Sequence, residues 1–152
     1  MNKNLDIQLL QDTINDLKNN PNACATIGGM TSTGGTFTIA ESNPGEQLKK
    51  FIQYLFENGF ADMQYVENYE KIKDKKIEDY TYEETLTALT KIIRGDRFVS
   101  GQIYGCFKNG TLLQVVEKLK CFVAPNSNQT NVAMDMARWI YVKFLDTFFW
   151  TN

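Results

Sequence analysis

Histidine is absent from all 152 residues. Its absence removes the commonest general base, the Ser-His and Cys-His nucleophile pairs, and the commonest zinc ligand. Long apolar runs are missing too. No stretch approaches the ~18 residues that a membrane-spanning helix needs, and the opening MNKNLDIQLLQD lacks the apolar region of a secretory signal. Excess charge of either sign is scarce. A net charge of −2 is too small for a DNA mimic and lacks the basic excess that grips nucleic acid. The asymmetry is mild: residues 1–99 carry 11 basic and 15 acidic side chains, and residues 100–152 carry 5 and 3. Cysteine is sparse, with Cys24, Cys106 and Cys121 at no metal-like spacing. An odd number of scattered cysteines implies free thiols in a reducing compartment. These exclusions set the expectations of a cytoplasmic protein with no membrane association, no metal and no cofactor.

Catalysis is not marked either. Cys106 lies on an apolar helical face, where a thiol packs rather than reacts. Glu83 and Glu84 adjoin in sequence but point to different sides of a helix. Carboxylate or lysine chemistry stays open, but no pair is singled out for it.

What the chain does contain is a strong helical grammar. Its hydrophobic content of 43% and charged content of 22% are ordinary for a globular protein, and 152 residues suit one domain with a real core. Ile7, Leu10, Ile14 and Leu17 form a stripe that predicts a first helix ending at Asn19-Asn20-Pro21. The period then changes. CATIGGMTSTGGTFTIA, from Cys24 to Ala40, is threonine-rich and alternating, and predicts a β-hairpin or two short strands around the Thr31–Gly35 turn. Gly28-Gly29 and Gly34-Gly35 resemble a phosphate loop only superficially, because no Lys-Ser/Thr follows; they read as turn and bulge glycines.

Asn43-Pro44-Gly45-Glu46 predicts a helix start with a cap and a proline at the first helical position. Leu48, Phe51, Ile52, Leu55 and Phe56 give that helix a wide apolar face, closed by Asn58-Gly59. The following run, ADMQYVENYEKIKDKKIEDY, reads as a solvated connection or short surface helix, whose Tyr65 and Tyr69 are candidates to line a groove. Thr81 with Glu84 then forms a capping box ahead of Tyr82, Leu86, Leu89 and Ile93. Gly95 is the expected left-handed stop. A helix with Val99, Ile103, Cys106 and Phe107 follows, and after Asn109-Gly110 another with Leu112, Val115, Val116 and Leu119 on one side.

The stretch LTALTKIIRGDRFVSGQIYGCFKNGTLLQVVEKL, preceded by EQLKKFIQYLFENGF, resembles bacterial domain-of-unknown-function family 6508. The shared pattern is a helix, an arginine–phenylalanine corner, a glycine three residues on, and a final apolar helix. Here those are Arg97, Phe98, Gly101 and the helix containing Leu112, Leu113, Val116 and Leu119. The resemblance spans roughly Gly45 to Lys120 and implies no activity, substrate or catalytic residue.

The last segment, residues 130–150, predicts a long apolar helix central to the core. Asp135, Arg138, Lys143 and Asp146 share one sector, opposite Ala137, Ile140, Phe144 and Phe148. Trp139 falls inside the charged sector, which leaves two readings: packing within the fold, or a subunit or partner contact.

The expected fold is a single, predominantly α-helical α+β domain of five to six helices with one small hairpin. One polar constellation stands out, Arg94-Gly95-Asp96-Arg97-Phe98. In one reading Arg94 and Arg97 bind a carboxylate or phosphate with Asp96 orienting one of them. In the other, Arg97 bonds helix-end carbonyls or a neighbouring acid while Phe98 plugs the core.

Three functions follow. The favoured one is a small non-catalytic interaction module that self-associates or binds another protein, in a bacterial or phage setting by inhibiting a host or defence complex. The second is a binder of a small anionic or nucleotide ligand through Arg94, Arg97 and the tyrosines. The least favoured is a helix-turn-helix-like nucleic-acid binder, since Thr81–Leu119 forms three short helices with few cations.

Overall fold

Asp6 starts the first helix, its carboxylate accepting the Leu9 amide at 3.1 Å. The computed structural model describes residues 4–27, 32–33, 36–37 and 41–127. In chain order it gives α1 (Ile7–Asn19), β1 (Cys24–Ile27), β2 (Ser32–Thr33), β3 (Thr36–Phe37), β4 (Glu41–Pro44), α2 (Glu46–Glu57) and α3 (Tyr65–Glu70). A 3-10 turn (Ile77–Asp79), α4 (Tyr82–Gly95), α5 (Gln102–Lys108) and α6 (Thr111–Ser127) follow. The fold is α+β and predominantly helical, as expected. No helix among the described residues is long and apolar enough to cross a membrane. The predicted helix over residues 130–150, with Trp139, lies outside the described residues, as do the glycine pairs at 28–29 and 34–35.

The core forms where α6 packs between α1 and α4, with α2 against α1. Leu112, Val115, Val116 and Leu119 of α6 are buried together with Leu10 and Ile14 of α1, Leu48, Phe51 and Leu55 of α2, and Leu89 and Ile92 of α4. These are the stripes that the helical periodicity marks.

The α4 face differs in one respect. Leu89 is fully buried, but Tyr82, Leu86 and Ile93 are half-buried, and the most enclosed positions include Thr85, Thr87, Ala88 and Thr90. The threonines tolerate burial because each hydroxyl bonds a carbonyl four residues back: Thr85 to Thr81 at 2.8 Å, Thr87 to Glu83 at 3.0 Å, Thr90 to Leu86 at 2.7 Å. No described buried side-chain polar atom lacks a partner, so the small polar side chains let α4 sit close without a desolvation penalty. The Thr81–Glu84 capping box is present in full.

The β region extends beyond the predicted span. β1 pairs antiparallel with β4, from Cys24↔Pro44 to Ile27↔Glu41, while β2 and β3 form a smaller nested pair. Asn43 and Pro44 therefore belong to a strand rather than to the start of α2. Gly45 is the N-cap instead and supplies no side-chain bond. Its amide reaches the Ala23 carbonyl at 2.8 Å, and a Cβ there would stand 2.9 Å from that oxygen. Closure of the ribbon decides this corner, and a glycine permits it.

Candidate functional site

The α4–α5 corner is positioned by the elements just described, and its five polar and apolar residues separate into distinct roles. Gly95 is helical rather than left-handed. The chain runs one further turn beyond it, with the Phe98 and Val99 amides bonding the Gly95 carbonyl at 3.0 and 2.8 Å. The left-handed residue is Gly101, at φ 79°, directly before α5.

That extra turn carries Phe98 outward. Phe98 is 80% exposed and Val99 61% exposed, so Phe98 does not plug the core. The first core residue after the corner is Ile103 of α5. Val99 likewise precedes α5 rather than lying on its buried face.

Asp96 does not orient an arginine. Its Oδ1 accepts the Ser42 hydroxyl at 2.6 Å and the Ile103 amide at 3.0 Å. The Ser42 oxygen in turn accepts the Tyr104 amide at 3.0 Å. Asp96 and Ser42 together satisfy the first turn of α5, which Gly101 cannot cap, and join it to β4. Burial and then the Asp96 charge push the neighbouring Cys24 thiol up to about 11, against a smaller opposing bond from the Asn43 backbone.

Arg94 lies along the α2–α3 side. Its guanidinium sits 5.2 Å from the centroid of Phe56, and Nη2 is 3.9 Å from the Met63 sulfur. Lys91, one turn earlier, places its ammonium 4.0 Å over the Tyr69 ring. Tyr69 thus supports α4 with its ring face, and Tyr65 is half-buried at the start of α3. Arg97 is exposed; its backbone amide bonds the Arg94 carbonyl at 3.2 Å, and its guanidinium makes no hydrogen bond or ion pair with any described residue.

A second polar knot underlies this surface. Asp62 accepts the Thr87 hydroxyl at 2.6 Å, the Asn68 amide group at 2.8 Å and the Gln64 backbone amide at 2.9 Å. Burial alone would raise its pKa, but these three donors outweigh it and hold the carboxyl below its ordinary value. The Asp62 backbone amide also donates to Thr90 at 2.9 Å. The α2–α3 connection is thereby fixed on α4, and Met63 (66% exposed) and Val66 (64% exposed) stand at the surface.

The structure therefore leaves Arg97, Phe98, Val99, Met63 and Val66 exposed, sets Arg94 against Met63, and turns Asp96 to Ser42 and the start of α5. Periodicity passed over Met63 and Val66 because single apolar residues in polar runs are common. It placed Val99 on the Ile103 stripe, whereas Val99 stands before α5 and is exposed.

Open grooves lie elsewhere. One of about 620 Å³ is lined by Tyr54, Phe56, Asn58 and Phe60, and one of about 630 Å³ by Lys75, Ile77, Gln114, Lys118 and Cys121. No cluster among the described residues has the His, Cys, Asp and Glu donors to hold a metal ion. Burial raises the Cys106 thiol, with Lys91 offsetting part of the effect, so neither Cys24 nor Cys106 is poised as a thiolate.

Comparisons with curated proteins and with solved structures found no match. A family model described as "Family of unknown function (DUF6508)" matches residues 2–124. That span is wider than the Gly45–Lys120 resemblance and takes in α1, the β ribbons and nearly all of α6. The chain belongs to the DUF6508 family.

Proposed function

We propose that this chain is a non-catalytic interaction module that contacts another protein through the α4–α5 corner. The observation that carries this reading is the 80% exposure of Phe98 beside an Arg97 without a described partner. Aromatic and arginine side chains supply most of the binding energy at protein interfaces. A phenylalanine left 80% exposed on a hydrogen-bonded turn gains little burial from folding, and contact with a partner gives it a role. The three free cysteines support a reducing, cytoplasmic location.

Native mass spectrometry of the protein, purified gently from the cells that make it, tests the reading. A stoichiometric partner or a homo-oligomer, lost on Phe98→Asp with the melting temperature unchanged, is the expected result. A bare monomer, or a complex indifferent to Phe98→Asp, overturns it.

A second reading, a small anionic ligand held by Arg94 and Arg97, draws support from the unpartnered guanidinium of Arg97. Under it, Arg97→Ala abolishes ligand binding and leaves stability unchanged. The nucleic-acid reading has less support, because α5 carries Lys108 as its sole cation.

A further inference from the structure

We infer that the groove at the C-terminal end of α2 takes the cationic side chain of an arginine or lysine presented by a partner protein. This contact is separate from the α4–α5 corner and stands or falls apart from it.

The groove follows from the way α2 ends. Asn58-Gly59 closes the helix: Gly59 is left-handed at φ 71°, and the Phe60 amide returns to the Leu55 carbonyl at 2.9 Å. That closure brings the buried Phe60 ring against Tyr54, stacked with centroids 5.7 Å apart. The Tyr54 hydroxyl is held in turn, accepting the Asp6 amide at 2.8 Å. Beside these rings lies the open groove of about 620 Å³, lined by Asn4, Tyr54, Phe56, Glu57, Gly59 and Phe60 among others.

Charge selects a cation. Glu57 is the one charged residue of the lining. Its carboxylate accepts the neutral Gln53 side-chain amide at 2.7 Å and joins no ion pair among the described residues, so it keeps its charge. It stands at the negative end of a 12-residue helix whose last turn has no basic residue, a placement that deepens the negative potential. Asp6 adds a carboxylate next to Tyr54, bonded to the neutral Leu9 amide. The opposing charge is Arg94, which lies over Phe56 at 5.2 Å, turns its Nη2 to Met63 and does not line the groove. Lys49 and Lys50 sit in the first half of α2 and do not line it either. The balance beside the groove is negative.

The rings decide the kind of cation. Aromatic walls next to a carboxylate suit a guanidinium or ammonium on an apolar stem. Phe56 already carries Arg94 in this way, and Tyr69 carries Lys91. A metal ion would gain nothing from the rings and would find one carboxylate where it needs several oxygen ligands. A free small molecule is held by burying most of its surface, whereas this groove is open. A long side chain reaching in from another protein fits that shape.

Amide-shift titration of the full chain by NMR tests this, with acetyl-Gly-Arg-Gly-amide, its lysine and glutamate counterparts, and tetramethylammonium. The arginine and lysine peptides should move the Gly59 and Phe60 amides saturably, and the glutamate peptide should not. Glu57→Lys should weaken the arginine peptide about tenfold or more. The same variant should melt no lower than the parent, because lysine suits a helix C-terminus. Phe98→Asp should leave this binding unchanged.

Contrary results are equally plain. Arginine-peptide binding that survives Glu57→Lys intact overturns the inference, as does an equal response to the glutamate peptide. Loss of the peptide on Phe98→Asp would place it at the α4–α5 corner and overturn the groove. Tetramethylammonium binding as tightly as the arginine peptide would make a free organic cation the ligand and remove the partner's side chain. No shift at ~10 mM peptide, ten times a weak Kd of ~1 mM, would overturn the groove as a cation site. A complex that still depends on Phe98 would then keep the interaction reading on its own.

Discussion

Ser42 donates its hydroxyl to Asp96 at 2.6 Å across 54 residues of sequence, and that bond ties the β1–β4 ribbon to the start of α5. Asp96 also accepts the Ile103 amide, so Asp96→Ala orphans two donors at once. Hydrogen bonds to a charged acceptor contribute more than neutral ones, and the substitution should cost about 2 kcal/mol. Asp96→Asn, which keeps an acceptor oxygen, should cost roughly half as much. Urea denaturation of the three proteins measures the difference; equal midpoints would remove Asp96 from its structural role.

Asp62 gives the fold an acid-side weakness. Burial opposes its ionisation, but the Thr87, Asn68 and Gln64 donors prevail and depress the carboxyl from 3.8 in the folded state. A depressed pKa means that the folded form favours the carboxylate, so the stabilisation is complete above pH ~4 and fades as pH falls through the folded value. Stability measured between pH 6 and 2 should drop in this lower range, and Asp62→Asn should flatten part of that drop.

The three thiols should react in order of exposure. Cys121 is exposed, Cys106 half-buried and Cys24 buried with its thiol raised to about 11. At pH 8 a thiol reagent should label Cys121 first and Cys24 only with unfolding, which mass mapping of the labelled peptides reads directly. Because the Cys24 pKa is raised in the fold, stability should fall as pH rises from about 9 towards 11. Asp96→Asn should lower the Cys24 pKa and so shrink that alkaline loss, since the Asp96 charge raises it.

Two phenylalanines should respond oppositely to the same truncation. Phe51 is 1% exposed in the α2 core layer, and Phe51→Ala should cost about 3–5 kcal/mol through lost burial and a residual cavity. Phe98→Ala should change stability by no more than about 0.5 kcal/mol, as at an ordinary surface position. Paired thermal and chemical melts check this. A large loss for Phe98→Ala would mean that the residue packs rather than waits for a partner.

Much of the architecture was legible in the chain. Helical stripes at Leu10–Ile14–Leu17 and Leu112–Val116–Leu119 are local patterns set by 3.6-residue periodicity, and they predict burial without knowledge of what covers them. The Thr81–Glu84 box is equally local, because all its bonds lie within four residues. The corner Arg94–Phe98 was legible only as clustered charge beside a ring.

Only the tertiary structure decided how that corner is used. Whether Asp96 faces an arginine or the start of α5 depends on β4 arriving with Ser42, more than 50 residues away. Whether Phe98 enters the core depends on the turn past Gly95, after which Ile103 rather than Phe98 is buried. The pairing of β1 with β4, and with it the loss of the predicted cap at Asn43, is likewise a long-range choice. Sequence by itself determined the helical stripes, because propensity and periodicity act over a few residues. The fold determined which side chains were left facing outward, because burial is a competition among distant segments for the same space.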